Sequence, residues 1–180
     1  MARMLELQSP GVAATRRIAH AFVNMAPSPP NAFVQNTISW LTEFSQLTVR
    51  DLDMASRVRI AVAELTENVV KYGKKQGARV DVALEERDGS LYLVVETTNS
   101  APERHLERAV ELLTEIRDSE DPVAFYDRLI LAVAPTREVG VSGLGLARIR
   151  AEGELYIDFR IDGDVLTICA ETPIAGLDAA

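Results

Sequence analysis

The chain has 180 residues, of which 47% are hydrophobic and 26% charged, with a formal net charge of −8. This length suits a single domain, residues 1–180, with a sizeable core, and the acidic balance argues against a nucleic-acid partner, which usually has a basic face. The single Cys169 excludes an intrachain disulfide, and two separated histidines offer no zinc spacing. No apolar run reaches the ~20 residues that span a bilayer, and the N-terminus lacks the apolar region of a signal peptide. We therefore expect a soluble, cytoplasmic protein without a membrane partner.

Helical periodicity dominates the first part of the chain. Apolar residues at spacings of three and four predict helices over about 11–25, 31–47 and 53–72. The first two form an N-terminal helical segment, residues 1–50, which can pack on the core or build a homodimer. The third begins the core of the domain, residues 51–172, with Asp51 or Asp53 as its N-cap and Gly73 as its end.

After Gly73 the period changes to two, which is typical of strands. RVDVALEER and SLYLVVETT flank Asp88-Gly89, a pair that favours a tight hairpin turn. Helices over about 103–117 and 122–133 follow, and then a loop and a short helix that ends at Gly153.

The last segments, ELYIDFRI and DVLTICAE, flank Asp162-Gly163 and predict a second hairpin. Its inward residues, spaced by two, would be Leu155, Ile157, Phe159 and Ile161. Four strands in two hairpins, with helices between them, predict an α+β fold. We expect a two-layer α/β sandwich in which a mixed, mostly antiparallel sheet is covered by helices.

The stretch AELTENVVKYG, residues 63–73, places polar side chains on an apolar helix. One face carries the residues that would join the core: Val58, Val62, Leu65, Val69 and Tyr72. The neighbouring face carries Glu64, Asn68 and Lys71 at spacings of four and three. Burying polar groups without partners costs free energy. This face therefore either lines a cavity or belongs to a structural ion network in which Glu64 pairs with Lys71 or Arg57.

A second motif lies in VGVSGLGLARIR, where Gly143 and Gly145 occupy a predicted loop-to-helix junction. A helix N-terminus offers backbone N–H groups and the positive end of the helix dipole, which suits an anion. Glycines at such a junction also serve tight packing. The two motifs in this order, roughly 75 residues apart, are more specific than either alone.

The segment ELTENVVKY at 64–72 resembles the N box of the GHKL ATPase superfamily, and SGLGL at 142–146 resembles its later glycine box. The resemblance runs in order over about residues 50–172. It is greatest to small bacterial regulatory kinases of the SiaB type, which act on STAS-domain partners, and of the SpoIIAB/RsbW anti-sigma-factor type. It implies a Bergerat-type fold and an ATP- and Mg²⁺-dependent protein serine/threonine kinase. The partner it implies is a STAS-domain or sigma-factor type regulator in bacterial signalling.

The resemblance also implies a role for each matching position. Asn68 would be the Mg²⁺ ligand through its side-chain oxygen, and Glu64 would be the catalytic base or positioning carboxylate. Lys71 would lie near the phosphates. Backbone N–H groups of the glycine box would bind the phosphates: Gly143, Leu144 and Gly145. The nucleotide lid would run from about Pro135 to Ser142.

The sequence departs from the superfamily pattern at the adenine site. The strand LYLVVE leads into TTNSAPE, which has neither the aspartate nor the glycines of the expected Asp-x-Gly-x-Gly box. Asn99 either accepts a hydrogen bond from the adenine amine through its amide oxygen or caps a turn before Pro102. The later box also has Val141 where the superfamily has glycine.

These departures leave a second function open, a partner-binding module of the same fold that no longer uses nucleotide. The intact Glu64, Asn68 and Lys71 favour the kinase, because a module without nucleotide has no physical need of this carboxylate and amide together.

Overall fold

The computed structural model describes residues 15–73, 77–133 and 143–174. Within these ranges the chain forms five strands and five helices. The strands are β1 (Arg16–Met25), β2 (Ala78–Arg87), β3 (Ser90–Ser100), β4 (Tyr156–Asp162) and β5 (Val165–Pro173). The helices are α1 (Asn31–Val49), α2 (Leu52–Tyr72), α3 (Glu103–Asp118), α4 (Pro122–Val133) and α5 (Leu144–Ala151).

The five strands form one sheet in the order β1-β2-β3-β5-β4, and every pairing in it is antiparallel. Asp88 and Gly89 close the β2–β3 hairpin with φ of 52° and 77°, and Gly163 closes β4–β5 with φ of 60°. Positive φ is the conformation that such tight turns require, so both predicted hairpins are confirmed. Because β5 pairs with β3, the second hairpin extends the first, and β1 and β4 are the two edges.

Strand β1 shows that the predicted helix over 11–25 is wrong. Residues 16–25 are extended and pair with β2, from Arg16 opposite Glu86 to Met25 opposite Ala78; residues 11–14 lie outside the described ranges. The run RRIAHAFVNM has apolar residues at spacings of both two and four, so its local pattern is ambiguous. Pairing with β2 decides the conformation. The sheet therefore has five strands rather than four, and the N-terminal segment is not wholly helical.

A single hydrophobic core lies between the sheet and the helices, and β1 and α1 contribute to it along with the rest of the fold. The predicted core face of α2 is confirmed at Val58, Val62, Leu65 and Val69, all of which are buried, whereas Tyr72 is half-buried. Asp51 caps α2, because its side chain accepts hydrogen bonds from the N–H groups of residues 53 and 54. The α+β two-layer architecture predicted from the sequence is therefore the observed one.

The inward positions predicted for β4 hold only for its first half. Leu155 and Ile157 are fully buried, and Phe159 packs against the core, but the side chain of Ile161 is 40% exposed. Ile161 lies near the end of an edge strand, where only one neighbouring strand remains. Alternation along a strand predicts which face a residue takes, but coverage of that face depends on the helices above it.

The other face of the sheet carries charged side chains at alternate positions. We call it the ionic face and define it by its central residues: Arg17, Asp81, Glu85, Arg87, Glu96 and Glu171. Ion pairs join neighbouring positions on this face, across strands from Arg17 to Glu85 and from Arg87 to Glu171, and along β2 from Arg87 to Glu85. The sheet therefore separates an apolar core from a layer of paired charges.

Candidate functional site

The two sequence motifs meet where α2 packs against α5. Gly145 lies in the first turn of α5, and a Cβ added to it would lie 2.1 Å from Oε2 of Glu64 and 2.9 Å from its Cδ. Such a distance is far below any van der Waals contact, so only glycine leaves the carboxylate in this place. The tertiary structure thus brings Glu64 and Gly145 together.

Gly143 occupies the N-cap position of α5 with φ of 57°, a left-handed conformation that favours glycine. A Cβ added to it would lie 2.2 Å from Cδ2 of Leu112 on α3. Its carbonyl accepts the first helical hydrogen bond, from the N–H of Ala147 at 3.2 Å. Gly143 and Gly145 are therefore both fixed by backbone conformation or close packing. Leu144, the third predicted residue of the box, begins the helix.

Arg148, further along α5, is the ionic partner of Glu64. Its Nη1 lies 3.3 Å from Oε1 of Glu64, and its Nε lies 2.7 Å from Oε2 of Glu152. The sequence analysis missed Arg148. Its spacing of three from Gly145, which places both on one face of α5, is the signal that could have suggested it.

The partners proposed for Glu64 in the structural alternative are engaged elsewhere. Arg57 pairs with Asp53 at 3.0 Å and with Glu154 at 2.5 Å. Lys71 is exposed, and its Nζ lies 5.1 Å from the ring centroid of Tyr72. The ion network at Glu64 thus exists, but it joins α2 to α5 instead of running along α2.

Glu64 is half-buried, with 23% of its side chain exposed. Burial raises the pKa of Glu64 above its ordinary value, and the hydrogen bond and charge of Arg148 oppose this without cancelling it. The neighbouring carboxylates Glu67 and Glu152 add to the rise. A carboxyl group with a raised pKa can exchange a proton near neutral pH more readily than an ordinary glutamate, which suits a general base.

Asn68 follows Glu64 by one turn on α2 and is half-buried. An amide oxygen suits a hard cation such as Mg²⁺. No group of three or more His, Cys, Asp or Glu side chains among the described residues is arranged to hold a metal ion by itself. Magnesium at Asn68 would therefore need oxygen ligands from a bound phosphate and water.

Asn99 lies near the C-terminal end of α2, inside β3. It is 8% exposed, its Nδ2 donates to the carbonyl oxygen of Ser100 at 3.3 Å, and a Cβ added to Gly73 would lie 3.7 Å from that nitrogen. Asn99 pairs with Ala78 within the sheet, and helix α3 has no side-chain cap, so Asn99 does not cap that helix. Its amide is buried beneath the end of α2.

Two polar groups near this end of α2 lack hydrogen-bond partners within the described part of the chain. Thr97 precedes Asn99 by two positions on the same face of β3, is 1% exposed, and its Oγ1 is unpaired. The buried Nδ1 of His105 is also unpaired, and its ring meets the Tyr72 ring edge-on with centroids 5.8 Å apart. The sequence analysis missed both groups. Buried polar atoms normally have partners, but among the described residues Oγ1 of Thr66 and Nε of Arg150 are unpaired as well, so unpaired atoms are not confined to this end of α2.

The candidate residues are spread along the second half of α2 and the elements beside it. Glu64 and Gly73 are nine residues apart on α2, a span of about 14 Å, with Asn68 between them. The glycine-containing start of α5 lies at one end and the amide of Asn99 at the other. The predicted lid, Pro135–Ser142, lies outside the described residues.

Two cavities lined by described residues lie away from Glu64. The larger, about 360 Å³, is on the ionic face, and its lining includes Arg87, Tyr156 and Cys169. The smaller, about 40 Å³, lies beside Gly73 at the end of α2. Neither is lined by Glu64, Asn68 or Asn99. No helix in the described ranges is both long and apolar enough to cross a membrane.

The fold is similar to that of a chain in the crystal structure of the SiaB–SiaC complex from Pseudomonas aeruginosa. The two chains are 17% identical with a TM-score of 0.56, and the alignment covers 88% of this chain and 91% of the other. At this identity the likeness shows the fold alone. No protein-family model matches the chain, and no curated protein matches it either.

Proposed function

We propose that the protein is an ATP- and Mg²⁺-dependent regulatory kinase that phosphorylates a serine or threonine of a partner protein. The contact between Glu64 and Gly145 carries this proposal. Two motifs far apart in sequence place a half-buried carboxylate, whose pKa is raised by burial, against the first turn of a helix. Phosphoryl transfer asks a protein mainly for positioning and charge neutralisation, which these parts can supply.

In this proposal ATP supplies the phosphoryl group, and Mg²⁺ offsets the negative charge on its phosphates. Glu64 accepts the proton of the attacking hydroxyl. The side-chain oxygen of Asn68 is the protein ligand of the cation, and the first turn of α5 binds phosphate oxygens through backbone N–H groups. The amide of Asn99 binds the edge of the adenine in place of the superfamily aspartate. Lys71, which is exposed, lies at the rim of the site.

The proposed partner is a regulatory protein of the STAS-domain or sigma-factor type in bacterial signalling. The similar chain comes from a complex of two proteins, SiaB and SiaC, which supports a protein partner for a chain of this fold. We propose that the kinase acts in the cytoplasm, where ATP is available.

The proposal is tested by calorimetric titration of the full chain with ATP and ADP, with and without Mg²⁺. We expect Mg²⁺-dependent binding that falls at least tenfold in Asn68→Ala, because the variant loses the only protein ligand assigned to the cation. The matched control is Asn36→Ala, an exposed asparagine on α1, which should bind as the wild type does. Absence of binding by folded protein at millimolar nucleotide would refute the kinase.

The second candidate is a partner-binding module that keeps the fold without using nucleotide. Asn99 favours it, since an amide stands where the superfamily has an aspartate and its Nδ2 already donates to Ser100. In that case a protein partner would bind the wild type and Asn68→Ala equally, whether or not ATP was present. A kinase would instead show ATP-dependent phosphate transfer that Asn68→Ala abolishes.

A further inference from the structure

We propose that Arg148 is a positioning residue that holds the Glu64 carboxylate in its ionised form against the start of α5, and that Glu152 weakens this hold by sharing the same guanidinium. The inference deepens the proposed function, on which its catalytic meaning rests. The ionic arrangement itself can be measured in protein without kinase activity.

The guanidinium of Arg148 bridges two carboxylates through different nitrogen atoms. Its Nε lies 2.7 Å from Glu152, whereas its Nη1 lies 3.3 Å from Glu64. The shorter contact goes to the more exposed partner, because the side chain of Glu152 is 43% exposed and that of Glu64 only 23%. Hydrogen bonds between charged groups strengthen as they shorten. Arg148 is thus bound more firmly to Glu152, which is better solvated, than to Glu64, which is more buried.

The charged and titratable groups that act on Glu64 lie on α2, on α4, and on or directly after α5. Glu67 lies on α2, Arg148 on α5, and Glu152 directly after α5. Tyr126 on α4 is also close, and its pKa is raised by burial and by the charge of Glu152. Arg148 is therefore the one cation that acts on Glu64 within the described part of the chain, against two carboxylates and a neutral phenol.

The balance between burial and the charge of Arg148 matters for a general base, which must be ionised to accept a proton but must also bind that proton well. Burial favours the neutral acid, and the charge of Arg148 favours the ionised form. A cation bound to Glu64 alone would make the carboxylate ionised but weakly basic. Sharing Arg148 with Glu152 leaves Glu64 between these extremes, and Gly145 lets it stay there because no Cβ displaces it.

Two substitutions should move the titration of Glu64 in opposite directions. In Arg148→Gln the midpoint should rise by on the order of one pH unit, as expected when a carboxylate loses an adjacent cation. In Glu152→Gln the midpoint should fall by a smaller amount, because one negative neighbour is gone and Arg148 can move towards Glu64. In Arg148→Lys the midpoint of Glu64 should lie between those of the wild type and Arg148→Gln. Lysine keeps the positive charge but lacks the guanidinium that binds two carboxylates at once.

The measurement is a ¹³C NMR titration of the side-chain carboxyl groups in the full chain, with Glu64 assigned from the Glu64→Gln spectrum. The matched control is Arg57→Gln, which breaks two ion pairs on α2, to Asp53 and Glu154, without touching Glu64. An unchanged Glu64 midpoint in folded Arg148→Gln, or shifts of the same sign in both test variants, would overturn the inference. If Arg148→Gln does not fold, the fall expected in Glu152→Gln still decides.

The kinase assay supplies a second readout where nucleotide binds. The acid limb of the kcat/KM profile should move with the Glu64 midpoint, to higher pH in Arg148→Gln and to lower pH in Glu152→Gln. A purely structural role for Arg148 would lower activity at every pH without moving the limb. If the protein binds no nucleotide, the proposed function fails while the NMR titration still tests the ionic arrangement.

Discussion

Glu64 on the helical side of the sheet and Glu85 on the ionic face are both withdrawn from water, but they have different partners. Glu64 has one cation, Arg148, at 3.3 Å, and burial raises its pKa. Glu85, with 6% of its side chain exposed, has Arg17 at 2.9 Å and Arg87 at 2.8 Å. Burial acts to raise the pKa of Glu85 too, but hydrogen bonds from these two arginines outweigh it and hold that pKa below its ordinary value.

Asp81 repeats the pattern of Glu85. It contacts His20 at 2.6 Å and Arg79 at 2.7 Å, and these partners hold its pKa below the ordinary range despite burial. The number of hydrogen-bonding partners per buried carboxylate therefore separates a structural ion pair from a group that can take up a proton. The ionic face favours the ionised forms of Asp81 and Glu85, whereas the α2–α5 junction leaves Glu64 only partly compensated.

The largest effect is expected from Glu85→Gln on the ionic face. The variant should lose about 2 kcal/mol of unfolding free energy at pH 7, because two arginines lose a charged acceptor that is nearly buried. Since the folded pKa of Glu85 is depressed, its contribution is present above the unfolded pKa of about 4.3 and is lost as pH falls through the folded value. Urea unfolding at pH 7 and pH 3 measures this, with Glu86→Gln as control. Glu86 pairs with the 70%-exposed Arg16, so its loss should cost under about 0.5 kcal/mol; equal losses in the two variants would contradict the comparison.

Gly145→Ala should cost about 1–2 kcal/mol, because the new Cβ displaces the carboxylate of Glu64 and separates it from Arg148. In a Glu64→Ala background the obstruction is gone and alanine is the better helix former, so the same change should stabilise the protein by about 0.5 kcal/mol. Thermal or urea unfolding of the four proteins forms a double-mutant cycle. An identical cost of Gly145→Ala in both backgrounds would show that Glu64 does not occupy this place.

Glu64→Gln should raise the unfolding free energy, by up to about 1 kcal/mol at pH 7, whereas Glu85→Gln should lower it. Because the folded pKa of Glu64 is raised, its favourable contribution is complete below the unfolded pKa and is lost as pH rises through the folded value. Removing the charge should therefore help at neutral pH and have no electrostatic benefit near pH 3. Urea unfolding at both pH values checks this. Destabilisation at pH 7 equal to that of Glu85→Gln would mean that Arg148 fully compensates Glu64.

The last prediction concerns the reactivity of Cys169, whose side chain lies on the ionic face and whose reaction leaves the comparison of the two glutamates unchanged. Burial raises the pKa of its thiol to about 12, and the charges of Glu171 and Glu96 add to the rise. The thiol should therefore react with a disulfide reagent at pH 8 at least ~100-fold more slowly in the folded protein than in guanidinium chloride. As the chain has one cysteine, the colour change reports this residue alone. Rapid reaction of the folded protein would show that the ionic face is more open than the structure describes.

Local patterns in the sequence were sufficient for most of the helical side of the fold. The helix predicted over 31–47 is observed as Asn31–Val49, and that over 53–72 as Leu52–Tyr72. Capping by Asp51 and the turn at Asp88-Gly89 involve residues close in sequence, so the signals for them are local. The position of Glu64, Asn68 and Lys71 on one face of α2 follows from helical spacing alone. Its catalytic and cofactor roles stay predictions.

Contacts between distant segments were decided only by the tertiary structure. The segment 16–25 has two competing periods, and only the free edge of β2 makes it a strand. Arg148 and Glu64 are 84 positions apart, and no spacing along the chain encodes their meeting. The sequence by itself determined the five observed helices, the hairpin turns and the residues that would be polar at the site, but it also predicted a helix where β1 is found. The tertiary structure decided which cation each carboxylate receives, because ion pairing depends on distances across packed elements and on the burial that packing creates.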